Sequence, residues 1–253
     1  MGKIIAVGNQ KGGVGKTTTT VNLGAGLASL GKKVLLVDSD SQGNATSGLG
    51  VHRGDVDQSL YEVLIDQIPI QEVILPTSRE NLWIVPSTIQ LAAIELELVG
   101  VKNRQNRLKE ALAPVEADYD FILIDCPPSL GQLSINAFTA SHTILIPVQA
   151  EYYAMEGLTQ LLNTIRLVQK NYNRDFRIEG VLITMLDART NLGFEVVEEV
   201  RKYFQEKVYQ TMIPRNVRLS EAPSYGLSII DYDRKSRGAE RYLELAKEVI
   251  ANA

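Results

Sequence analysis

Lys16 and Thr17 stand near the end of the run Gly8-Asn-Gln-Lys-Gly-Gly-Val-Gly-Lys-Thr-Thr18, whose residue types suit a phosphate cradle. Gly12, Gly13 and Gly15 lack a Cβ, so the backbone around Val14 can bend and aim its N–H groups at an anion. An ammonium at Lys16 can reach the β- and γ-phosphates of a nucleotide, and the Thr17 hydroxyl is placed to ligate Mg²⁺. Thr18 closes the run at the start of the following helix. A glycine-rich turn can also be a plain connector. Gly-Lys-Thr set between a strand and a helix favours phosphate.

The elements that must position this loop are legible around it. Residues 3–7 form a short apolar run that reads as a buried strand, and residues 17–30 have the length and spacing of a helix closed by Gly31. Further apolar runs at 33–38, 82–86, 120–125, 143–147 and 181–184 read as strands. Helices are expected near 60–65, 106–115, 155–171 and 192–205, with a largely covered helix over 88–99. A last strand is expected just before Thr211. Apolar strands alternating with helices predict an α/β fold, a mostly parallel sheet with helices on both faces. In such sheets ligands bind beyond the carboxyl ends of the strands. Asp38, Asp40 and Asp125 stand at two such ends. No repeat, low-complexity tract or linker divides residues 1–253, so a single domain is expected.

Composition narrows the function classes. No apolar run reaches the length of a membrane span, and nothing before the loop resembles a secretory leader. Cys126 is the lone cysteine, which excludes an intrachain disulfide framework and points to a reducing cytoplasm. The net charge is −4, so contact with nucleic acid needs a local basic patch. Arg189, Arg215, Arg218, Arg234, Lys235, Arg237 and Arg241 could supply one, although Glu221, Asp231, Asp233 and Glu240 lie among them.

Gln10 stands where the usual phosphate loop has its first glycine, and Lys11 precedes Gly12-Gly13. Lys-Gly-Gly-Val-Gly-Lys-Thr resembles the deviant Walker A loop of the ParA/MinD group of P-loop ATPases. Further segments extend the resemblance along the chain: Asp38-Ser-Asp-Ser-Gln-Gly-Asn44, Ile124-Asp-Cys-Pro-Pro-Ser-Leu-Gly131, Pro147-Val-Gln-Ala-Glu-Tyr-Tyr-Ala154 and Pro214-Arg-Asn-Val-Arg-Leu-Ser-Glu-Ala-Pro223. Together they are most similar to the chromosomal ParA (Soj) branch. The resemblance implies ATP and Mg²⁺ as ligands and a homodimer when ATP is bound, with Lys11 of one subunit on the nucleotide of the other. It implies that Asp125 matches the Walker B carboxylate, holding Mg²⁺ directly or through water, and that Asp38 supports the same shell. Asp40 then orients or deprotonates the attacking water, with Ser41 standing where the family often has proline. Pro214 and Asn216 are implied to hold the adenine.

For the basic residues, the resemblance implies nonspecific binding of double-stranded DNA, with Arg189 on the DNA surface and Arg215, Arg218, Lys235 and Arg237 beside it. It also implies a ParB-type partner that stimulates hydrolysis, and a cytoplasmic, nucleoid-associated protein moving chromosome or plasmid. Since the chain opens on the loop, site-specific repression by this protein alone is not expected. Two other functions share the loop. A MinD-like membrane switch needs a basic amphipathic C-terminal helix, whereas residues 242–253 are mildly acidic and no stable insertion is expected. A small-molecule biosynthetic ATPase needs a second catalytic constellation, and His52 and His142 are isolated.

Overall fold

The computed structural model describes residues 2–151, 156–187, 189 and 191–252, with side chains left out at 156, 157, 191 and 192. Tyr152 to Ala154, part of one quoted segment, lie outside the described residues. β1 (Lys3–Val7) runs through the glycine-rich loop into α1 (Lys16–Ser29), followed by β2 (Val34–Asp38), α2 (Asn44–Gly48) and α3 (Leu60–Ile65). β3 (Leu75–Pro76), β4 (Leu82–Val85), α4 (Ile94–Glu97) and α5 (Arg107–Leu112) come next. β5 (Phe121–Asp125), α6 (Gln132–Ala140), β6 (Thr143–Gln149), α7 (Glu156–Asn171), β7 (Arg177–Thr184) and α8 (Asn191–Phe204) then alternate. α9 (Val217–Glu221), α10 (Ile229–Tyr232) and α11 (Arg237–Ala251) follow.

The strands form one sheet in the order β3-β4-β2-β5-β1-β6-β7, parallel except for β3, which runs antiparallel to β4. Consecutive residues of each strand face opposite sides. Ile4, Ala6, Leu35, Val37, Ile122 and Ile124 enter a core shared with α3 and α5 to α8. Ile5, Val7, Leu36 and Leu123 enter the opposite core, under α1, α10 and α11. With both faces covered, the alternation that marks a half-exposed strand disappears and continuous apolar runs remain. The α/β expectation therefore holds, with helices on both faces.

Register sets the working edge. Asp125 of β5 is paired with Val7 of β1 on one side and Asp38 of β2 on the other. The loops leaving these three strands thus open at one place. α11 fixes α1 from outside: a Cβ on Gly26 would sit 3.1 Å from both Ala246 Cβ and the Tyr242 carbonyl oxygen. A side chain there would press the two helices apart by a few tenths of an ångström. Tyr242, Leu245, Ala246 and Val249 of α11 are buried in that contact. Among the described residues, no helix is long and apolar enough to cross a membrane.

Four readings need correction. Residues 88–99 are not a covered helix but a 3₁₀ turn, Ile89–Ala93, leading into the single turn of α4. Only Leu91, Ile94 and Leu98, at spacings of three and four, point inward, while Ile89, Leu96 and Val99 are well exposed. α5 is shorter than its apolar pattern. The strand expected before Thr211 is reduced to one isolated bridge, Val181 with Val208, and a second bridge, Leu186 with Pro214, falls after it. α6 was missed because Ser134, Asn136 and Thr139 interrupt its apolar pattern, yet all three are buried. Asn136 there accepts from the Leu108 N–H and donates to the Arg104 and Gln132 carbonyls.

Candidate functional site

The loop between β1 and α1 has the conformation its glycines allow. Gly13 and Gly15 adopt φ of 75° and 86°, left-handed values a side chain would disfavour. Gly15 is the N-cap of α1, and the first helical bond runs from the Thr19 N–H to the Gly15 carbonyl at 2.9 Å. The N–H groups of Lys16, Thr17 and Thr18 therefore precede the helical ladder, and no acidic side chain occupies the first turn. Such an end attracts an anion. Two clamps hold the loop. Asn9 donates to the Pro147 carbonyl and accepts from the Lys11 N–H, and the Thr184 hydroxyl donates to the Val14 carbonyl at 2.8 Å.

Lys16 is buried, with its Nζ donating to the Lys11 carbonyl at 3.0 Å. Burial lowers its pKa, opposed by the negative charges of Asp125 and Asp40. Lys11 lies half-buried at the loop's outer side, its Nζ 3.5 Å from Glu151 Oε2.

Asp38 and Asp125 are fully buried side by side on the paired ends of β2 and β5. Asp38 Oδ2 accepts from both the N–H and the hydroxyl of Thr46, at 2.8 and 2.7 Å, and Oδ1 accepts from the Asp40 N–H. Asp125 Oδ1 accepts from the Thr20 hydroxyl at 3.1 Å and the Thr17 side chain also lies close enough to lower the carboxyl's pKa, whereas Oδ2 is buried with no well-formed hydrogen bond among the described residues. Desolvation raises both carboxyls, Asp38 to about 6 and Asp125 to about 8, and for Asp125 the Asp38 charge is the second cause. An orphaned carboxylate oxygen buried beside the phosphate loop fits a Mg²⁺ ion or one of its waters. Asp125, Thr17 and Asp38 would hold it. Cys126, next in sequence, is buried with its thiol pKa driven up by desolvation, which makes it an inert core residue.

The distant segment around Pro214 folds back to this loop. A cavity of about 510 Å³ is lined by Gly15 and Thr18 from the loop and by Pro214, Asn216 and Tyr242, among others. Asn216 is also structural, since it caps α9 by accepting from the Arg218 N–H at 2.9 Å. A second groove, about 630 Å³, lies across the same segment and is lined by Arg189, Arg215, Arg237 and Arg241. Pro214, Arg215 and Val217 line both. Arg189 forks onto Asp187 at 2.9 and 2.8 Å, which lowers the Asp187 pKa, and Arg241 pairs with Glu244. Arg218 lies outside this groove, paired with Glu221 and within 3.8 Å of Asp233. Lys235 is exposed and also outside it.

Sequence reading missed Thr20, Thr46, Ser87 and Thr184, the hydroxyls that orient the loop and the acids. Thr20 and Thr184 carried a weak signal as polar residues within an apolar helix and at a strand end. Thr46 and Ser87 carried none, because their partners are brought close only by the fold.

The buried acids predict a pH dependence. A carboxyl whose folded pKa lies above its ordinary value stabilises the fold fully below about pH 4 and ceases to as pH rises through the folded value. Asp38 and Asp125 thus withdraw stability between about pH 4 and 8. Relative to wild type, nucleotide-free Asp125→Asn should gain stability as pH rises from 5 to 8, on the order of a few kcal/mol. Thermal melts across that range check this; parallel curves would show that Asp125 ionises normally.

A family profile described as an AAA domain matches residues 2–178. The chain is 66% identical over 252 residues to the sporulation initiation inhibitor protein Soj of Bacillus subtilis, covering 100% of both chains. It is 53% identical over 250 residues to the chromosome partitioning protein ParA of Myxococcus xanthus, covering 99% of this chain and 88% of that one. The solved structure of cobyrinic acid a,c-diamide synthase from Mycobacterium smegmatis, with bound ADP and magnesium, matches with a TM-score of 0.88 at 37% identity. That match covers 99% of this chain and 94% of the other. With the deviant loop, the paired strand-end acids and full-length identity of this order, the chain belongs to the ParA/Soj family of P-loop ATPases.

Proposed function

We propose that this protein is an ATP-dependent switch for DNA partitioning, acting as one ATPase domain over residues 1–253. In this reading ATP joins two copies, the homodimer holds double-stranded DNA without reading its sequence, and slow hydrolysis releases it. One observation carries the link between nucleotide and DNA: the cavity beside the phosphate loop and the four-arginine groove share the wall Pro214, Arg215 and Val217. A ligand in the first can bias the second only by binding its states unequally, and a common wall provides the means. The name of the Myxococcus xanthus relative, a chromosome partitioning protein, supports the cargo.

Each residue then has a distinct role. The N–H groups from Gly12 to Thr18 and the Lys16 ammonium grip the phosphates, and Pro214 and Asn216 hold the base. Thr17, Asp38 and Asp125 hold the magnesium shell. Bound Mg²⁺ supplies charge neutralisation on the phosphate oxygens. Asp40 orients the attacking water. Lys11 leaves Glu151 and reaches the nucleotide of the partner copy, adding a second cation where negative charge develops. A ParB-type protein stimulates the step, and the protein resides in the cytoplasm on the nucleoid.

The test is binding to random-sequence duplex DNA across salt concentrations, with ATP, ADP or no nucleotide. Wild type should bind only with ATP, and affinity should fall steeply with salt. Arg237→Ala and Arg189→Ala should each weaken binding to all sequences alike and reduce the salt slope by about one. Absence of binding in every nucleotide state would sink this reading. It would favour small-molecule chemistry instead, the class to which the name of the Mycobacterium smegmatis synthase points.

A further inference from the structure

Asp40 is held by its backbone at both ends. Its N–H donates to Asp38 Oδ1 at 3.2 Å, and its carbonyl accepts from the Gly43 N–H at 2.8 Å and from the Ser87 hydroxyl at 2.7 Å. Ser87 is fully buried, lies just beyond β4 and is 47 residues away in sequence. Its own N–H donates to the Thr46 hydroxyl at 3.0 Å, and that hydroxyl donates to Asp38 Oδ2. One residue therefore touches the Asp40 backbone directly and the Asp38 carboxylate through Thr46. Ser41, next to Asp40, puts no ring constraint on the turn, so its rigidity must come from such bonds.

We propose that Ser87 is a positioning residue for hydrolysis, fixing where the Asp40 carboxylate points. The inference rests on the role given to Asp40 above. The Asp40 side chain is half-buried; its Oδ1 accepts from the Gln42 N–H at 3.0 Å, which leaves Oδ2 for a water. Rotation of the 40–43 turn swings that oxygen, and the Ser87 hydroxyl is the contact that ties the turn to the sheet from outside the loop. A displacement near 1 Å of a group that positions a nucleophile lowers rate by roughly 10²-fold, while ground-state binding changes little. The Ser87 hydroxyl bonds the Asp40 carbonyl and none of the loop residues proposed to hold the phosphates, so nucleotide affinity should change little.

The experiment compares Ser87→Ala, Ser87→Thr, Asp40→Ala and the double variant Asp40→Ala/Ser87→Ala. It measures phosphate release from ATP and binding of a non-hydrolysable ATP analogue. Ser87→Ala should lower kcat at least tenfold with analogue affinity within twofold of wild type, and Ser87→Thr, which keeps the hydroxyl, should recover most of the rate. In the Asp40→Ala background, Ser87→Ala should cost nothing further. Unchanged kcat in Ser87→Ala, with Asp40→Ala impaired, would overturn the role of Ser87 alone. An equal loss from Ser87→Ala with and without Asp40 would also overturn it, by showing action through another group. Full turnover in Asp40→Ala would instead remove the reading on which the inference rests.

Discussion

Lys16→Ala is expected to lower ATP turnover by roughly 10³-fold, the largest effect of any single substitution here. Three features of the site combine in that figure. The ammonium is buried, so its charge acts through a medium of low dielectric rather than water. It lies among Asp125 and Asp40, whose charges it feels, and its removal leaves the site with a surplus of negative charge where a polyanion must bind. Its Nζ is already fixed on the Lys11 carbonyl at 3.0 Å, so little ordering remains for when the nucleotide arrives. Binding of an ATP analogue should weaken together with turnover, because the lysine meets the phosphates in both ground and transition states. Steady-state phosphate release and analogue titration check this. Turnover within tenfold of wild type would show that the loop does not work as a phosphate cradle.

The second large effect separates the two states. Asp40→Ala should reduce turnover by about 10²- to 10³-fold while leaving analogue affinity within a few fold. The carboxylate makes no hydrogen bond to the loop glycines, Lys16 or Thr17, although Lys16 feels its charge, and its backbone bonds to Asp38, Gly43 and Ser87 survive the substitution. What is lost is the free oxygen proposed to orient the water, the Oδ1 bond to the Gln42 N–H and one negative charge near Lys16. Trapping the ATP state in this way should also prolong DNA binding, since release awaits hydrolysis. Single-turnover measurements with pre-bound ATP isolate the chemical step. Unchanged turnover would exclude Asp40 from it.

The phosphate loop was readable because its requirements are local. Gly13 and Gly15 need φ values that their neighbours do not, and Lys16 and Thr17 follow at fixed spacing on the first turn of a helix. The strands that frame it were readable for a similar reason, since burial on both faces writes an unbroken apolar run. Where an apolar pattern was followed without that double burial, as over 88–99, the reading failed. Leu96 and Val99 look like core residues in one dimension and face solvent in three. α6 failed the opposite way: Asn136, buried and bonded to the distant Arg104 carbonyl, looks like a surface residue in sequence.

Sequence alone thus determined the loop, the strand-end acids and the α/β layering, because each is encoded in the backbone demands and hydrophobicity of neighbouring residues. Tertiary structure decided what those parts face. The pairing of β2 with β5 sets Asp38 against Asp125 and raises both carboxyls, which no spacing between positions 38 and 125 could convey. The return of Pro214 to Gly15, the gathering of Arg189, Arg215, Arg237 and Arg241 in one groove, and the bond from Ser87 to Asp40 are of the same kind. They depend on strand order and on how closely the helices pack, as α11 does on α1 at Gly26. Contacts between residues far apart in the chain exist only once the sheet has chosen its neighbours.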